Sequence, residues 1–276
     1  MHRAIDWRMR VPYGSFEGCA IFKLSEDLSA TSNLMPESAQ KFSMDLLLKE
    51  MDEAGVHVGV VPYRKENDND DIARLVQEYP DRFAGMAHID PFDGEKALED
   101  IEKYVLNGPA KGIMLEPGQI FLKDSLTPND PLMYPIYEYC QEKGVLVTQC
   151  FGGLFGRALK YYNPADMDEV ARTFPNLKIV LTHGGFPYTT ETCWIAYHRP
   201  NVFLSPDFWM FSMNPGHEHY VTACNNFLQD QMIFGTCYPA VSLDWAIDDL
   251  IRSGVKESVV DKLLYANAAR LLGLEG

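Results

Sequence analysis

Lys178-Ile179-Val180-Leu181-Thr182-His183-Gly184-Gly185 is a short aliphatic, β-branched run that ends in a histidine and stops at two glycines. A run of that length and content reads as a strand buried on both faces. The glycines let the chain turn away sharply, which leaves His183 at the strand's carboxyl end. In parallel α/β folds that end is where ligands bind. Taken alone, the residue also reads as a hydrogen-bonded core histidine. The order of the surrounding elements favours the first reading.

Strand-like and helix-like stretches alternate on both sides of this run. Ala4 to Trp7 reads as a strand, and Val56 to Val61 as a second, with His57 inside it as a structural residue. Phe83 to Ile89, Gly112 to Leu115, Val145 to Cys150, Asn201 to Ser205 and Gln231 to Gly235 complete the strands. Helical patterns fall between them. Ser43 caps one that ends at Ala54-Gly55, and Asp130-Pro131 opens another that runs to Lys143. Val11 to Lys41 reads as a long connection and a candidate lid. Eight strand–helix pairs without a composition break predict one (β/α)8 TIM barrel spanning residues 1–276.

The chain has 276 residues, 46% of them hydrophobic, which suffices for one large core. Its net charge of −15 argues against nucleic-acid and anionic-membrane partners, because phosphate attraction needs clustered Lys and Arg. No apolar stretch approaches a membrane span, and the start lacks the apolar core of a signal peptide. The six cysteines form no CxxC pair and read as free thiols of a reducing cytoplasm.

Three stretches resemble the amidohydrolase superfamily, specifically the amidohydrolase-2 group of decarboxylase-like and lactonase-like proteins. They are Phe174 to Gly185, Ile233-Phe234-Gly235-Thr236-Cys237-Tyr238-Pro239, and Tyr265 to Leu274. The resemblance implies an enzyme that hydrolyses C–N or C–O bonds, as in an amide or lactone, or removes a carboxyl group. It also implies a homodimer.

Several positions depart from the family pattern. The first strand normally ends in two metal-binding histidines, where this chain reads Ile5-Asp6-Trp7-Arg8-Met9-Arg10. The fifth-strand histidine is Cys150, the last-strand aspartate is Cys237, and a histidine after the fourth strand is Glu116. Of the usual inner groups only His183 remains. Arginine is not a metal ligand, so Arg8 and Arg10 put fixed positive charge where a cation would sit. Their guanidinium forks suit a carboxylate, which points to a small-molecule carboxylate substrate and no metal cofactor. Salt bridges to Glu116 or Asp207 are the other use for them.

The expected catalytic pair is His183 as acid/base and Cys237 as nucleophile or second acid/base. Arg8, Arg10, Glu116, Cys150, His88 and Tyr238 are the expected substrate-binding residues, and Tyr13, Trp209 and Phe211 candidate ring contacts. Two alternatives stay open: zinc held by Cys150, His183 and Cys237, and a barrel that binds anions without catalysis.

Overall fold

The structure is a computed structural model, and it describes residues 2–27, 34–62, 69–119, 123–153 and 155–274. Seven parallel strands pair in chain order: β1 (Ala4–Asp6), β2 (Val56–Pro62), β3 (Phe83–His88), β4 (Gly112–Leu115), β5 (Leu146–Cys150), β6 (Ile179–Thr182) and β7 (Val202–Ser205). Helices cross between them, including Met44–Ala54, Asn69–Glu78, Glu95–Ile101, Tyr134–Lys143, Pro164–Thr173 and Thr189–His198. The predicted α/β TIM-barrel architecture is therefore present. Parallel neighbours require such crossovers, and a sheet covered on both faces explains the strands' unbroken burial.

The expected eighth strand differs. Residues 231–235 make no regular strand, yet they join both edges of the sheet. Leu204 N–H donates to Gln231 O (2.9 Å) and Ile233 N–H to Leu204 O (2.8 Å). On the other side Trp7 N–H donates to Phe234 O and Arg10 N–H to Tyr238 O, both at 3.0 Å. The ladder is sparse because a side chain replaces it. The buried Asp6 carboxylate accepts from Thr236 N–H (3.0 Å), from the Thr236 hydroxyl and from Arg8 N–H (2.9 Å). The seam between first and last segments is thus closed by a carboxylate clasp.

Inside the barrel Ile5, Trp7, Val60, Met86, Met114, Leu146, Val180 and Ile233 pack into one floor. Trp7 Nε1–H donates across it to Thr148 Oγ1 at 3.3 Å. A larger shell lies between sheet and helices. The connection after β1 is more ordered than its composition predicts. It holds a 3-10 turn at Gly14–Phe16 and helices at Ala20–Asp27 and Glu37–Gln40, while residues 28–33 of the expected lid lie outside the described residues. The predicted helix from Asp130 instead starts at Tyr134, with Pro135 in its first turn. Asp130 is used earlier, in a turn where its carboxylate accepts from Leu132 N–H.

Asp6→Ala would strand two buried backbone N–H groups, and we expect a loss of about 3 kcal/mol, with about 1–2 kcal/mol for Thr236→Val. Denaturant unfolding measures both. Losses within experimental error would show that the clasp does not close the barrel.

Candidate active site

Glu116, Cys150, His183 and His88 stand at or just after strand carboxyl ends, and Cys237 and Tyr238 follow the last, unladdered segment. Glu116 follows β4, Cys150 ends β5, His183 follows β6, and Asp207 lies just beyond β7. Arg8 and Arg10 lie past β1, whose regular pairing stops at Asp6. His183, Asp207 and Cys237 all have left-handed backbone, with φ of 63°, 48° and 60°. That conformation costs a non-glycine residue on the order of 1–3 kcal/mol. Here it breaks strand alternation and brings three adjacent segments' side chains together. Gly153 has φ 95°, and a Cβ there would lie 2.7 Å from the His183 ring, so the loop after β5 can rest on the imidazole only as glycine.

Arg8 is fully buried at the centre. Its Nη2 lies 3.3 Å from His183 Nε2, 3.6 Å from Cys150 Sγ and 3.8 Å from Glu116 Oε1, and Nη1 lies 3.7 Å from Met114 Sδ. Arg10 Nη1 donates to Cys237 Sγ at 3.5 Å. The rim expected to unite Arg8, Glu116, Cys150, His183 and Cys237 does so. His88 ends β3 opposite Met114 in register, and its backbone N–H and C=O are held by the Asn69 side chain.

The Tyr238 hydroxyl meets the Ser38 hydroxyl at 2.7 Å and so anchors the helix at Glu37–Gln40 to the last segment. Tyr13 donates to Glu78 (2.7 Å), and Phe211 packs edge-on to Trp245. Trp209 stacks on Phe186 at 3.7 Å with nearly parallel rings. His217 opens a helix at His217–Asn225, and its Nδ1 lies 2.9 Å from Asn214 O.

Two residues join the site beyond the expected set: Gln119, and Asp207, which is expected only as a partner for the arginines and pairs with His183 instead. Asp207 holds His183 twice: its Oδ1 lies 3.0 Å from Nδ1, and its Oδ2 accepts from His183 N–H at 3.1 Å. Gln119 Nε2 donates to Cys150 Sγ at 3.2 Å and also reaches Gly152 O and the Tyr162 hydroxyl. The available signal for Asp207 was its place just after a strand end; for Gln119 there was none.

Protonation follows from these neighbours. Burial disfavours the His183 imidazolium, but Asp207 and Cys150 outweigh burial and Arg8, raising its pKa to about 10. In the neutral ring the Nε2 lone pair accepts from Arg8; once Nε2 is protonated, Asp207 and Cys150 balance the charge. Burial pushes the Cys150 thiol up, yet His183 and Arg8 bring it below its ordinary value. Burial alone would lower the Arg8 pKa, but Cys150, Cys237, Asp207 and Glu116 raise it.

The ligand atoms of His183, Asp207 and Cys237 lie within 4.8 Å of one another, a grouping of metal-binding types. It differs from the expected zinc set by having Asp207 in place of Cys150. Arg8 already faces His183 Nε2 and Arg10 already faces Cys237.

Residues 33–274 match the amidohydrolase family. The chain belongs to this family. It is 26% identical over 239 residues to 2-amino-3-carboxymuconate-6-semialdehyde decarboxylase of Dictyostelium discoideum, a match covering 75% of this chain but only 66% of that protein. An uncharacterised TIM-barrel protein from Bordetella bronchiseptica superposes with a TM-score of 0.89 at 31% identity, covering 98% of both chains. A dihydroxybenzoic acid decarboxylase from a Polaromonas species, solved with manganese and 2-nitroresorcinol, superposes at 0.70 with 17% identity over 99% of this chain and 98% of its own, which shows a shared fold. This amidohydrolase-family chain has no helix among its described residues long and apolar enough to cross a membrane.

Because the folded His183 pKa lies above the ordinary histidine value of 6.5, Asp207 stabilises the fold fully near and just below pH 6.5, and that contribution fades as pH rises through about 10. The stability difference between wild type and Asp207→Asn should therefore shrink over that window. Cys150 is common to both proteins and cancels. A difference independent of pH would break the His183–Asp207 assignment.

Proposed function

We propose that this protein is a carboxy-lyase acting on a small carboxylate-bearing molecule, without a divalent metal. One observation carries the reading: a histidine at the strand-end rim whose Nδ1 pairs with the Asp207 carboxylate, with its pKa raised to about 10 so that it is an acid at neutral pH. Arg10, beside Cys237, supplies the guanidinium group for the substrate anion. Loss of carbon dioxide leaves an electron pair on the substrate carbon, and that carbon takes the proton of His183. Asp207 holds the ring through the transfer, and solvent returns the proton. The family relationship to a decarboxylase supports the reaction class.

Metal independence is supported by electrostatics. At about 4 Å from a guanidinium, a divalent ion would meet a repulsion of roughly 8 kcal/mol at an effective dielectric of about 20. Glu116 and Asp207 offset part of this, but Arg8 already engages Glu116 and Asp207 already holds His183.

Cys237 gives hydrolysis its specific support. Its sulfur accepts from Arg10 and lies close to His183 and Asp207. In that reading the Cys237 sulfur attacks an amide or lactone carbonyl and gives its proton to solvent, His183 protonates the leaving group, and water cleaves the thioester to release the acid and restore the thiol. Exposed Trp194, Tyr197 and Phe227 support association into a homodimer. Sedimentation as a monomer at working concentration would remove that part of the proposal.

Loss of one charge-assisted contact should weaken binding roughly ten- to a hundred-fold in Arg10→Ala, with partial recovery in Arg10→Lys. The assay compares small carboxylic acids with their neutral amides, following carbon dioxide release and acid release separately. Equal handling of acids and amides by all three proteins would overturn the anionic-substrate reading. Cys237→Ser separates the two reactions, since hydrolysis through the thiol would stop and decarboxylation would not.

A further inference from the structure

A manganese-bound decarboxylase shares this fold, yet the donor set here is organised around a side chain. A single nitrogen, Arg8 Nη2, faces an imidazole nitrogen, a sulfur and a carboxylate oxygen from three different strand ends, at 3.3, 3.6 and 3.8 Å. Nitrogen, sulfur and oxygen are donor types that bind cations. Nη1 adds the Met114 sulfur at 3.7 Å. Asp207 and Cys237 lie near enough to act on the same charge. The guanidinium is fully buried, as a bound ion would be, and so are Glu116, Cys150 and Asp207 around it.

We propose that Arg8 is a built-in cation that occupies the seat of a divalent metal and holds Glu116, Cys150 and His183 in place, leaving Arg10 as the arginine that meets substrate. Arg8 is thus a positioning residue. This inference rests on the metal-independent reading above and extends it. Wild-type chain excludes zinc because a covalently attached charge already satisfies the donors. Cys150 follows from the same arrangement. Its sulfur accepts from the Gln119 amide as well as from Arg8 and is fully buried, so it belongs to the shell around Arg8.

The seat can be emptied. Arg8→Ala removes the guanidinium and leaves the donors, and Arg8→His adds one more. Both variants and wild type would be stripped with a chelator and titrated with zinc chloride, reading metal content per chain, circular dichroism and thermal unfolding. We expect each variant to take up about one zinc per chain and to unfold at a higher temperature with it, and wild type to do neither. An Arg8→Ala chain that folds only when zinc is added is the same result. Adding Cys150→Ser to Arg8→Ala should lower zinc affinity at least ten-fold, because one donor is gone. Stoichiometric zinc in wild type would overturn the metal-independent reading itself. Folded variants that bind no zinc, unfolded ones that zinc does not restore, or zinc binding indifferent to Cys150→Ser would overturn the role of Arg8 and leave that reading standing.

Discussion

A fully buried guanidinium must be matched by charge and hydrogen bonds, and at Arg8 that requirement organises the barrel mouth. Its side chain is fully buried, yet it reaches Glu116 after β4, Cys150 at the end of β5 and His183 after β6. These groups come from segments far apart in the chain. A charge that each can satisfy holds them at common depth. Removing any one would leave part of a buried charge uncompensated, so the cluster behaves as a unit.

That unit depends on the seam below it. Asp6 bonds Arg8 N–H and Thr236 together, so the same clasp that closes the barrel sets where Arg8 leaves the first strand and where Cys237 leaves the last. Tyr238 then reaches Ser38, whose N–H and hydroxyl bond the Glu50 carboxylate. Closure, arginine placement and cysteine placement are therefore one mechanical problem with one solution. The left-handed backbone at His183, Asp207 and Cys237 is tolerated because such contacts over-determine it.

Function follows from the polarity of this arrangement. Asp207 on one side of the imidazole and Arg8 on the other fix the ring's orientation and assign Nδ1 and Nε2 different jobs. Cys150 and Cys237, alike in sequence terms, are separated by their surroundings. The first lies among Arg8, Gln119 and His183, and the second beside Arg10.

The amino-acid sequence by itself determined the alternation of strands and helices, the family, and the fact that arginines and cysteines stand near the ends of the barrel's strands. Those are local or positional properties: aliphatic runs such as Lys178 to Thr182, caps such as Ser43, and residues counted from strand ends. It also marked Arg8, Glu116, Cys150, His183 and Cys237 as neighbours, because a barrel places all strand ends on one rim. Only the tertiary structure decided which of them touch. Asp207 became the partner of His183 through a backbone turn with φ 48°, which no spacing rule predicts. Gln119 reached Cys150 across the fold, and Tyr238, placed at the mouth by its neighbours in sequence, bonded Ser38 instead. The last segment lost its regular strand pairing because Asp6 and Thr236 bond through side chains, and that choice lies 230 residues apart in the chain. Hydrophobic periodicity reports which face of a segment is buried; it carries no information about which distant donor will find which acceptor once the barrel has closed.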